Sequence, residues 1–191
     1  MLTTLYTLLY RLSRLSVWVC GTGFLLSACF VFVEVVLRNV TTSYIGSDEI
    51  AGYVFAVAVA WGFSFCLYER AHVRIDVAYQ SLARRLRAWL DLLSLVALLL
   101  FSSLIALRAW RTYQESWDFQ AVSITPLQTP MWIPQLVWAV GLVFFAFNCA
   151  FLAIYVLTLL LRGQTVRANA VAGIPLLQGE APDAAENQRN A

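Results

Sequence analysis

Four long apolar runs constrain this chain more than any other feature. A helix rises about 1.5 Å per residue, so about 20 apolar residues cover the roughly 30 Å hydrocarbon core of a bilayer. Segments 15–37, 49–68, 88–110 and 132–161 each reach that length. The first holds Val17 to Leu37 with only Glu34 to interrupt it, and the second, Ile50 to Tyr68, carries no charge. The third has a clean centre from Leu92 to Leu107, extended by Trp89 and Trp110, aromatics suited to the headgroup level. The fourth, Ile133 to Leu161, makes about 43 Å of helix and has to tilt, bend or project. Pro134 suits a first helical turn, which predicts a start near Trp132. The expected fold class is an all-α membrane protein with four transmembrane helices.

Composition agrees and removes whole classes of function. With 61% hydrophobic and 13% charged residues, a water-soluble globular domain is excluded. All 13 basic residues are Arg, against 11 acids, for a net charge of +2. That leaves no basic surface for nucleic acid and no lysine chemistry. Cys20, Cys29, Cys66 and Cys149 lie inside apolar stretches and never as C-x-x-C, so they read as small buried hydrophobes. His72 is the single histidine, too few for a bis-His haem or a zinc site. Neither a nucleophile elbow, a phosphate loop nor an acid and base carboxylate pair is present. The chain is expected not to be an enzyme and to carry no cofactor, metal or substrate site of its own.

Arginine placement sets the orientation. Arg11 and Arg14 precede the first span, Arg70, Arg74, Arg84, Arg85 and Arg87 separate the second from the third, and Arg162 and Arg167 follow the fourth. Against these nine, the opposite side holds Arg38, Arg108 and Arg111. The positive-inside rule places both termini and the middle loop in the cytoplasm. Loops Asn39 to Ser47 and Thr112 to Met131 then face outward, and span 1 is expected to remain as an anchor rather than a cleaved signal peptide. Residues 1–162 read as one membrane domain and 163–191 as a polar, disordered cytoplasmic tail.

A few residues stand out against the apolar background. Gly52, Ala56, Ala60 and Ser64 recur every four residues, a smooth stripe for close helix packing, inside this protein or against another; Gly23 and Ser27 form a shorter one in span 1. Glu34 needs a partner or water at such depth, either an ion pair with Arg38 one turn later or a contact with another subunit. Ser47, Asp48 and Glu49 suit the positive end of the second helix, with the serine as capping hydroxyl. Asn148 is expected to make an interhelical hydrogen bond. Ile75, Tyr79, Leu82, Leu86 and Leu90 recur at three and four residues, which predicts an amphipathic interfacial helix between spans 2 and 3. Arg84, Arg85 and Arg87, with Trp89 and Trp110, are the expected lipid anchors.

The chain resembles the small permease subunit (DctQ-like, Q) of tripartite ATP-independent periplasmic (TRAP) transporters from about Arg11 to Leu161. The residues that carry this are Glu34 to Arg38, then Ser47-Asp48-Glu49-Ile50-Ala51 and Trp61-Gly62, then Glu69-Arg70-Ala71-His72-Val73-Arg74-Ile75-Asp76-Val77, and finally Thr125-Pro126-Leu127 with Pro130-Met131-Trp132-Ile133-Pro134. The resemblance implies a non-catalytic subunit that widens the static scaffold of a much larger permease in the bacterial inner membrane. That partner would hold the substrate and sodium sites and move in elevator fashion, fed with a carboxylate-bearing metabolite by a periplasmic binding protein. Glu34, Arg38, Asp48 and Glu49 would cluster near the outer surface, and His72, Arg74 and Asp76 would shape the turn under span 2. The loop from Thr112 to Met131, with Glu115, Trp117 and Asp118, is the candidate for touching the binding protein. Two alternatives are a stand-alone four-span proton-coupled transporter using Glu34, and a membrane protein of purely structural role.

Overall fold

The structure, a computed structural model, describes residues 2–40, 46–69 and 84–163. Within them the chain forms four α-helices, α1 (Leu2–Arg38), α2 (Ser47–Tyr68), α3 (Arg84–Asp118) and α4 (Trp132–Leu161), and no β-strand. All four are long and apolar enough to cross a membrane. Backbone polar groups have no water to bond in hydrocarbon, so helices that satisfy them internally are the stable form for such runs. The hydroxyls in these spans follow the same rule. Ser27, Thr22 and Ser102 donate to the carbonyls of Phe24, Trp18 and Leu99, three or four residues back, at 2.8, 2.8 and 3.1 Å.

The helices stand in a row in the order α1, α2, α4, α3, with neighbours touching along their length. Helix α1 runs antiparallel to α2, with Phe24 against Phe55 (6.0 Å between ring centroids) near mid-length and Tyr10 bonded to Glu69 at the far end. Helix α4 runs parallel to α2 and antiparallel to α3. Burial is greatest on α4 and least on α1. Half of the most apolar window of α4 is buried, against 11% of that of α1 at the edge, whose apolar side chains are left for lipid.

Two clusters hold the row together. At the α2–α4–α3 crossing Ala60, Ala139, Ala106 and Ala109 share one buried cluster with Leu142, and such small residues allow helices to approach closely. The larger cluster starts at the last turns of α2, with Leu67 and Tyr68, and extends beyond them. There Leu9 of α1, Leu95 of α3 and Val156 of α4 share one core, edged by Tyr6, Tyr68 and Tyr155.

The predicted interfacial helix falls mostly outside the described residues. Its last positions, Leu86 and Leu90, belong to the first turns of α3, which continues into the third span. The predicted tail beyond Gly163 also lies outside the described residues.

Candidate functional site

The polar residues picked out from sequence serve mainly to join helix ends. Gly46 is the N-cap of α2 with φ 79°, a left-handed backbone that glycine adopts without strain, and it offers no side-chain cap. The capping hydroxyl predicted at Ser47 is therefore replaced by another device. Glu34 of α1 is buried, and its Oε2 accepts the Ser47 backbone N–H at 2.8 Å. A carboxylate at that place satisfies a free amide and meets the positive end of the helix. Arg38 and Asp48 are exposed at the same end.

Glu49, in the first turn of α2, fastens the α3–α4 connection. Its Oε1 accepts the Tyr53 hydroxyl at 2.5 Å and its Oε2 accepts the Thr125 hydroxyl. The Tyr53 oxygen also lies 3.3 Å from Met131 Sδ. The connection is ordered by its own backbone: Ser123 N–H bonds Thr129 O at 2.9 Å, Met131 N–H bonds Ala121 O at 3.0 Å, and Val122 bridges Pro130. Trp117 and Trp132 meet edge to face across its base at 4.9 Å. Two of its apolar side chains are exposed, Ile124 fully and Phe119, which directly follows α3, to 83%.

Toward the opposite end, Asn148 is fully buried, as expected of an interhelical bond. Its Oδ1 accepts the Tyr68 hydroxyl at 2.7 Å, and its Nδ2 donates to Phe144 O at 2.8 Å and Ser64 Oγ at 3.4 Å. The small-residue stripe divides. Ala60 and Ser64 are buried, whereas Gly52 and Ala56 are exposed, and a Cβ added at Gly52 or Gly62 would meet nothing within 4 Å. Gly23 faces Val54 of α2, 3.8 Å from the position of an added Cβ, and Ser27 is buried. Trp89 and Trp110 are exposed. His72, Arg74 and Asp76 lie outside the described residues, and Arg84, Arg85 and Arg87 are placed only as backbone of α3.

Sequence reasoning missed two contributors, Asp91 and Gly141, and gave a third, Trp61, no contact. Asp91 of α3 is buried, just ahead of the clean centre of the span; its spacing of four from Arg87 was the available signal. Gly141 of α4 sits where an added Cβ would come 2.7 Å from Trp61 Cδ1 and 3.2 Å from Ala60 Cβ. Trp61 in turn donates its indole N–H to Val137 O at 3.1 Å, across the α2–α4 contact. Gly141 belongs to no apolar period that would single it out, and Trp61 was marked only by the resemblance, without a partner. Among the described residues, no three His, Cys, Asp or Glu side chains gather to hold a metal ion.

Comparison with known proteins places this arrangement. No curated protein and no solved structure matches the chain. The family model of the tripartite ATP-independent periplasmic transporters, DctQ component, matches residues 27–160, more than two thirds of the length, from the last part of α1 to the end of α4. The segment includes Glu34, the Ser47–Glu49 turn, Asn148 and the connection that Glu49 holds. The chain therefore belongs to the DctQ component family and is a small membrane subunit of a TRAP transporter.

Proposed function

We propose that this subunit is a non-catalytic scaffold for a large permease, in an ion-gradient-driven, sodium-coupled uptake of an organic acid in the bacterial inner membrane. The family match is the observation that carries the reading. The use of polar side chains supports it. Glu34, Glu49, Asn148 and Tyr68 are engaged in holding helices and a loop in place, and a row of helices broadens a partner's membrane perimeter. In this reading both termini are cytoplasmic. The connection with its exposed Phe119 and Ile124 then faces outward, where a periplasmic binding protein docks to deliver substrate.

The test is a mild-detergent pull-down of the tagged chain from its native membrane, with mass spectrometry of the proteins retained. A large multispanning permease at near-equal amount is the expected result. Recovery of the chain alone or only with itself overturns the reading. The rival that uses Glu34 for proton coupling is checked separately by Glu34→Gln, for which the scaffold reading expects transport to survive wherever the complex still assembles.

A further inference from the structure

A cleft of about 460 Å³ opens on the surface between α1 and α2, lined by Tyr10, Arg14, Val17, Trp18, Phe65 and Glu69. Its chemistry is graded along the helix axis. Arg14 and Glu34 are 20 residues apart on α1, about 30 Å of helix, which is the thickness of the hydrocarbon core. With Glu34 at one membrane boundary, Arg14 stands at the other, in the headgroup layer. Tyr10 and Glu69 lie one turn farther from the bilayer centre, joined by the Tyr10 hydroxyl donating to Glu69 Oε1 at 2.9 Å. Val17, Trp18 and Phe65 lie at the level of Arg14 or deeper, toward the acyl chains.

Charge order makes the cleft selective. Glu69 is the C-cap of α2 and is exposed. A carboxylate there faces the negative end of the helix dipole, so a cation beside it is favoured. Arg14, exposed on the facing helix, is ion-paired with no described residue and offers a fork of N–H donors that matches phosphate. Cation acceptor outermost, anion acceptor a turn deeper and apolar wall deepest is the order of ammonium, phosphate and acyl chain in one lipid molecule. Trp18, one turn deeper than Arg14 on α1, is largely exposed, an amphipathic side chain suited to the interface.

From this geometry we infer that the α1–α2 cleft binds a zwitterionic phospholipid with a primary ammonium headgroup, of the phosphatidylethanolamine class. Glu69 takes the ammonium, Arg14 the phosphate, and Val17 and Phe65 the start of an acyl chain. The leaflet is the cytoplasmic one if the orientation under Proposed function holds; the site itself does not depend on it. An anionic headgroup such as phosphatidylglycerol meets Arg14 but sets no cation against Glu69. A choline headgroup supplies the charge without an N–H to donate.

The full chain, reconstituted into nanodiscs of equal phosphatidylethanolamine, phosphatidylglycerol and phosphatidylcholine, is released into mild detergent, and the retained lipid is read by native mass spectrometry. Phosphatidylethanolamine is expected to dominate. Glu69→Gln is expected to lower its ratio to phosphatidylglycerol roughly tenfold, as fits one charged hydrogen bond, and Arg14→Gln to lower retention of every class. Retention of phosphatidylglycerol or phosphatidylcholine at the level of phosphatidylethanolamine overturns the proposal, as does an unchanged lipid ratio in Glu69→Gln. If a variant loses its helical circular dichroism, the wild-type competition decides alone. Because the permease takes no part in this measurement, its outcome is separate from that of the pull-down.

Discussion

Glu34 Oε2 lies 2.8 Å from the backbone nitrogen of Ser47, a contact across 13 residues that makes a side chain of one helix the cap of the next. The bond closes the α1–α2 hairpin at the end where the chain turns. It also explains how an acid is kept at the edge of an apolar span, because a free amide and a helix dipole meet it there. Glu34→Ala is expected to destabilise the hairpin by about 1 kcal/mol, the usual cost of a lost cap, and Glu34→Gln by less, since an acceptor oxygen remains. Thermal unfolding in detergent and faster amide exchange at Ser47 measure both.

Close approach of α4 to Trp61 sets a second prediction. An added methyl at Gly141 falls 2.7 Å from Trp61 Cδ1. Gly141→Ala is expected to force the indole aside and cost about 1 to 3 kcal/mol. Gly52→Ala and Gly62→Ala, where an added Cβ meets nothing, are expected to leave stability unchanged or slightly raised. Equal unfolding temperatures for Gly141→Ala and Gly62→Ala would refute the packing described.

The divided stripe predicts unequal effects of one substitution at two sites. Ala60 is 1% exposed among other small side chains, so Ala60→Leu overpacks the α2–α4–α3 crossing and costs about 1 to 3 kcal/mol. Ala56 is exposed, and Ala56→Leu is expected to be silent in the isolated chain. Any loss of permease recovery with Ala56→Leu alone would mark this part of α2 as partner-facing.

Asn148 and Tyr68 make the buried polar tie between α4 and α2. Asn148→Leu and Tyr68→Phe are each expected to cost about 1 kcal/mol, within the range measured for hydrogen bonds between membrane helices. A double-mutant cycle should show the two losses to be non-additive. Additive losses would mean that the bond contributes nothing of its own.

Glu49 tests the loop without disturbing the helices. Glu49→Gln weakens the bonds that Tyr53 and Thr125 donate. Amide exchange of Ser123 and Met131 is expected to quicken, while that of α3 and α4 stays at the wild-type rate. Unchanged exchange in the connection would show that its own backbone bonds suffice.

Much of the candidate site was legible in part. Asn148 was recognisable as a residue in need of an interhelical bond, because an amide in an apolar run has few other ways to be satisfied. Glu34 was recognisable as costly, but its bond to Ser47 was not foreseen. A sequence shows its neighbour Arg38 four residues on and does not show the amide brought near by the return of the chain. The serine expected as a cap lies just inside α2 because Gly46 takes the left-handed turn. Gly141 gave no signal, since a glycine in an apolar run looks alike whether it faces lipid or an indole.

By itself the sequence determined four membrane-crossing helices and membership of a transporter subunit family. Both follow from local properties, the apolar length of each run and the residues at its ends, which act whatever the neighbours are. Tertiary structure alone decided that α2 and α4 form the middle of a row, with α1 and α3 at its edges, and that Ala60 packs while Ala56 does not. In hydrocarbon every face of such helices is apolar, so burial supplies little preference among neighbours. Pairing then depends on side-chain shape and on a few bonds between distant residues, such as Tyr68 with Asn148, and these exist only once the helices have met.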